Sequence, residues 1–84
     1  NDRIVVSPSP FETEFMASFT LESDTPQLDV RIFNQSGTMV NHITYGTMQK
    51  GKQEIRLAPS LRSGIYVLNI QSKTQVFRTI ITKK

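Results

Sequence analysis

Apolar and polar residues alternate along most of this chain, and no stretch shows helical period. In the run from Glu14 to Leu21, Phe15, Ala17, Phe19 and Leu21 share one face. Leu28, Val30 and Ile32 do the same opposite Asp29 and Arg31. Ile55 and Leu57 point inward in the next alternating run, and Tyr66, Leu68 and Ile70 in the one after it. Such alternation is the signature of half-buried strands, because successive side chains leave a pleated strand on opposite sides. The last run departs from it. Val76 and Ile80 oppose Phe77 and Ile81, so both faces are partly apolar, and this strand is expected to be covered on both sides or to lie at a junction.

Turn-forming clusters separate the runs: Ser7-Pro8-Ser9-Pro10, Ser23-Asp24-Thr25-Pro26, Asn34-Gln35-Ser36-Gly37, Gln49-Lys50-Gly51-Lys52, Ala58-Pro59-Ser60 and Gln71-Ser72-Lys73-Thr74. The pattern predicts seven strands, at about 3–6, 13–21, 27–34, 38–45, 52–57, 64–71 and 75–82. Pro8 and Pro10 cannot donate to a ladder, so they are expected to hold an extended crossover between the first two strands. Gly37 and Gly64 sit where turns feed strands, positions that favour a residue without a Cβ. Seven short strands in 84 residues predict an all-β fold, a small immunoglobulin-like antiparallel β-sandwich. Phe15, Phe19, Val30, Ile32, Leu57, Tyr66, Leu68 and Ile70 are expected in or beside its core.

Composition narrows the function more than the fold. The net charge of +3 gives a mild pull toward anions but not the dense basic field of a nucleic-acid binder. Cysteine is absent, which removes disulfides and thiolate chemistry. No apolar run is long enough to span a membrane as a helix. The opening Asn1-Asp2-Arg3 has neither an initiator Met nor an apolar leader, so the 84 residues are expected to be a single domain cut from a longer polypeptide.

Catalytic chemistry finds no foothold. His42 is the single histidine and has no second His or Cys at ligand spacing, so it reads as a plain strand residue and no metal site is expected. No G-x-S-x-G elbow positions a serine, and no glycine-rich loop cradles a phosphate. Glu12 and Glu14 read as solvated residues entering a strand. With no Trp and only Tyr45 and Tyr66, a sugar-binding platform is poorly supplied. No cofactor is expected and an enzyme is the least favoured class.

Four blocks, in order, carry a resemblance. Ile4 to Phe11 is similar to an apolar-x-Pro-Asn-Pro-Phe motif, with Ser9 in the place of the Asn. Leu28 to Val40 is similar to a strand–turn–Gly–strand hairpin. Leu61, Gly64 and Tyr66 match a Leu-x-x-Gly-x-Tyr block. Phe77 to Lys84 matches an apolar last strand ending in lysine, with Arg78 and Thr79 where a lysine is often found. Together these blocks resemble the C-terminal sorting domain of the type IX secretion system of Bacteroidetes.

The resemblance implies a signal rather than an enzyme. It implies a C-terminal domain carried by a cargo protein, folded in the periplasm in transit, and recognised by the type IX translocon and outer-membrane shuttle proteins. In many members a sortase-like peptidase then removes the domain and joins the cargo to an anionic lipopolysaccharide at the cell surface; such a cut is expected near or before Asn1. On this reading Gly64, Tyr66, Lys83 and Lys84 are the candidate recognition residues. The last strand would offer its backbone for strand addition and the lysines would offer point charges. An exposed edge also invites self-association. The competing reading is a fibronectin-like structural or adhesion module of a surface protein, which need not end its polypeptide.

Overall fold

A computed structural model describes residues 3–84 as seven strands in two packed antiparallel sheets, with no helix among the described residues. The strands are β1 (Ile4–Ser7), β2 (Phe15–Leu21), β3 (Leu28–Phe33), β4 (Met39–Tyr45), β5 (Gly51–Leu57), β6 (Gly64–Gln71) and β7 (Val76–Lys83). The smaller sheet has the order β1-β2-β5 and the larger β4-β3-β6-β7. This is the small immunoglobulin-like sandwich that the alternation predicts.

The inward face of each strand is the face the pattern picks out. Phe15, Ala17, Phe19 and Leu21 are buried on β2, Leu28, Val30 and Ile32 on β3, and Leu68 and Ile70 on β6. Ile55 and Leu57 from β5 and Phe77 and Ile81 from β7 complete the core, and Tyr66 packs at its border. Phe19 and Phe77 join the two sheets, their ring centroids 5.0 Å apart. Burial of aromatic rings supplies much of the apolar area a domain of this size can hide from water.

One feature differs from the sequence expectation. The segment between β1 and β2 is bent rather than extended: Pro8 to Pro10 turn the chain, and the bonds Ser7–Pro8 and Ser9–Pro10 are both cis. The bend carries Phe11 from the edge of the smaller sheet onto the edge of the larger one, where it is fully buried. Of the two alternatives for β7, it lies at a junction, where Phe11 bridges to Lys83, and is not covered on both faces. Phe77 and Ile81 are buried, but Val76 is 47% exposed and Ile80 65%. The core needs only one face of β7, and nothing in the described residues folds over the other.

Candidate functional site

The four candidate residues come together at one end of the β6–β7 ladder. Antiparallel pairing sets Gly64 opposite Lys83 and Tyr66 opposite Ile81, and Lys84 follows directly. The bent Pro8–Pro10 segment then brings in Phe11, which forms a parallel bridge with Lys83. Its N–H donates to the carbonyl of Thr82 at 3.0 Å, and its carbonyl accepts from the N–H of Lys84 at 2.9 Å. The Phe11 ring lies 4.8 Å from that of Phe15. The end of the last strand is therefore lashed to the start of the chain by two main-chain bonds and one buried ring.

Each candidate has a structural reason for its place. Gly64 has φ +153°, outside the region open to residues with a side chain. A Cβ there would meet Tyr66 Cε1 at an ordinary 3.8 Å, so the demand for glycine comes from the backbone and not from crowding. The Tyr66 hydroxyl donates to the carbonyl of Arg62 at 2.8 Å, and this pins the turn that enters β6. A tyrosine reaching back to the backbone a few residues upstream is a corner device of sandwich folds. Leu61 packs against the core beneath the same turn. Lys83 is half-buried, with its Nζ donating to the Lys84 carbonyl at 3.0 Å, and Lys84 is exposed.

The remaining motif block lies nearby. In the β3–β4 turn Asn34 Oδ1 accepts from the N–H groups of Ser36 and Thr38, both at 2.9 Å. Gly37, at φ +85°, closes that turn by donating to the Asn34 carbonyl. Since Phe33 pairs with Val67, the turn extends the same end of the larger sheet as Gly64. All four sequence blocks thus reach this end of the sandwich, through Phe11, the Asn34–Thr38 turn, Gly64 and Lys83.

The free edge of the site is shorter than the sequence suggests. Thr82 and Lys84 aim their backbone groups at Phe11, so by period two Arg78 and Ile80 aim theirs the same way, off the sheet. Among the described residues no strand pairs with this stretch of β7. The stretch open to strand addition is therefore 78–80, just before the lysines, which are themselves anchored through their backbone.

His42, Arg31 and Asp29 are engaged with one another on the outer face of the larger sheet. His42 shares a hydrogen bond with Asp29 at 3.3 Å, as expected of an ordinary strand residue. Burial works against the Asp29 carboxylate, but hydrogen bonds with His42, Gln27 and Thr44 and the charge of Arg31 outweigh it, and its pKa is held below the usual aspartate value. Among the described residues no group of three or more His, Asp or Glu could hold a metal, and no helix is long and apolar enough to cross a membrane. Sequence reasoning placed Phe11 in a motif but did not foresee its bridge to Lys83. The only signal for it is a large apolar residue following two prolines at the mouth of a strand.

Comparison with known proteins adds the following. The family model described as the secretion system C-terminal sorting domain matches residues 5–83. No curated protein matches the chain. The crystal structure of the C-terminal domain of wzt superposes with a TM-score of 0.55 at 15% identity, over 96% of this chain and 69% of that one. At that identity the likeness is one of fold alone.

Proposed function

The chain belongs to the secretion system C-terminal sorting domain family, and from that premise we propose how it acts as a sorting signal for type IX secretion. The domain is a non-catalytic tag. Its cargo passes through the periplasm to the translocon and its shuttle proteins, and reaches the outer membrane, the cell surface or the medium. Recognition falls at the end of β7, through the exposed charge of Lys84, the half-buried Lys83 and the open backbone of 78–80. Gly64 and Tyr66 shape that end and do not contact the receptor alone. Removal by a sortase-like peptidase would act N-terminal to the sandwich, near Asn1, a point outside the described residues.

One observation carries this reading. The bridge from Phe11 to Lys83, and the pairing of Lys83 with Gly64, join the end of β7 to residues far from it in the sequence. A machine that exports folded proteins of many shapes needs a feature common to all of them that reports folding. A strand end assembled from residues far apart in sequence is such a feature. The test fuses these 84 residues to the C-terminus of a periplasmic reporter in a type IX-competent host. Reporter outside the cell or on its surface supports the reading. Reporter held in the periplasm at the level of an untagged control removes it.

A further inference from the structure

The outer face of the larger sheet carries an apolar row that the fold does not use. Register places Met39, Phe33, Val67 and Ile80 side by side across β4, β3, β6 and β7. These residues alternate with the buried Ile32, Leu68 and Ile81, so they face away from the core. Met39 is 48% exposed and Ile80 65%, and Ile65, one pleat along from Val67, is 46% exposed. Scattered surface aliphatics are ordinary, but a continuous row across four strands marks a contact surface.

A depression of about 350 Å³ opens on this row. Phe33 and Val67 line it together with Asn34, Gln35 and Gly37 of the β3–β4 turn, and Arg78. The next row holds His42, Arg31, Asn69 and Arg78. Arg31 spends its charge within the fold, 3.9 Å from Asp29 and 3.4 Å from Gln71 Oε1. Asp29 is engaged in turn by His42 and Thr44. Arg78 is different: among the described residues it has neither an acidic partner nor a hydrogen-bond acceptor for its side chain. Beside it, Asn69 Oδ1 is covered and has no donor.

We propose that this depression binds a protein segment in which an apolar side chain is flanked by carboxylates. The apolar group sits on Phe33 and Val67, and a carboxylate pairs with Arg78 at the rim. Charge decides against a second copy as the occupant. The face presents two arginines to a single, already engaged aspartate, so two such faces would set the unpaired Arg78 charges against each other. An acidic partner meets no such penalty. The inference stands on the isolated domain and does not depend on the sorting role.

Amide chemical-shift mapping of the domain with two acetylated peptide amides tests it, Glu-Leu-Phe-Glu and Lys-Leu-Phe-Lys. The acidic peptide is expected to shift Phe33, Val67 and Arg78 and to bind about five-fold or more tightly than the basic one, the scale of one exposed charge pair reversed in sign. Arg78→Glu, at an exposed position, should keep the fold and invert the preference. Equal affinity for the two peptides, shifts centred elsewhere, or no shifts at millimolar peptide would overturn the proposal. So would shifts of the same residues with protein concentration alone, since the occupant would then be a second copy.

Discussion

The two ends of the sandwich are closed by different chemistry. At one end Phe11 buries a ring and lends its backbone to the tip of β7, while Tyr66 pins the turn into β6. At the other end the sheets are joined by polar side chains. Gln75, 5% exposed, accepts from the N–H of Glu22 at 2.9 Å and donates to the Thr20 carbonyl at 3.3 Å. Thr25, 1% exposed, accepts from the N–H of Lys73 at 2.9 Å and donates to the Gln27 carbonyl at 3.1 Å. Both ends tie residues distant in sequence, yet the motif residues Phe11, Gly37, Gly64, Tyr66 and Lys83 all lie at the first. Closing an end is therefore a structural need that many residues can meet. What distinguishes the motif end is that it sets the position of the last strand's tip.

The largest expected effect comes from breaking the apolar end. Phe11→Ala should cost about 3–5 kcal/mol in urea denaturation, because it leaves a cavity beside Phe15. For so small a domain that is about half of its stability, at roughly 0.1 kcal/mol per residue. Phe11→Leu keeps most of the volume and should fall between the variant and the parent. A Phe11→Ala protein as stable as its parent would mean that the lash is decorative.

Breaking the polar end should cost less. Gln75→Ala leaves the Glu22 N–H and the Thr20 carbonyl without this partner, a loss of about 1–3 kcal/mol. If this variant proved the less stable of the two, the ranking of the ends would reverse. Smaller again is Tyr66→Phe, which keeps the ring and removes only the bond to Arg62, at about 0.5–1.5 kcal/mol. Its amide-exchange signature should be confined to the turn entering β6.

The smallest effect lies on the outer face, away from both ends. The Asp29 carboxyl is held below its usual value in the folded state, so its contribution is present above the unfolded aspartate pKa of about 3.9. It is lost as pH falls through the lower folded value. The urea midpoint of the parent should therefore drop further on acidification than that of Asp29→Asn. Parallel acid profiles would show that His42, Thr44 and Arg31 contribute nothing through this carboxylate.

The apolar skeleton was legible because its signal is local. Alternation at Phe15 to Leu21 or Leu28 to Ile32 depends only on the pleat, so it gave strand and inward face together. Phe11 and Gln75 were not legible as closures. A phenylalanine after Pro-Ser-Pro and a glutamine in a polar turn reveal their burial only once distant strands have been brought beside them. Glutamine is seldom buried, and here it is admitted because its amide, reaching across from the start of β7, is bonded to the backbone at the end of β2. The two-sided pattern of β7 was read correctly as apolar on both faces, but one of those faces lies open. Pattern alone does not distinguish a face covered by the chain itself from one left to a partner.

The candidate site was legible as a set of positions and not as a geometry. Gly64, Tyr66, Lys83 and Lys84 do converge, because antiparallel pairing of β6 with β7 demands it. The anchoring of the lysine backbone by Phe11 follows from a crossover bend that no periodicity encodes.

The most direct measurement compares the two ends as signals rather than as sources of stability. It is the export of a fused reporter by two variants, Lys83→Ala/Lys84→Ala and Gln75→Ala, each at a temperature where the purified domain is folded. The lysine pair has no acidic partner among the described residues, and exposed charges add little to stability. The lysine variant is expected to fold as the parent does yet leave reporter in the periplasm, while Gln75→Ala exports normally despite its lower stability. Full export of the lysine variant together with failure of Gln75→Ala would contradict this expectation, and would mean that the machinery reads overall stability and not the end of β7.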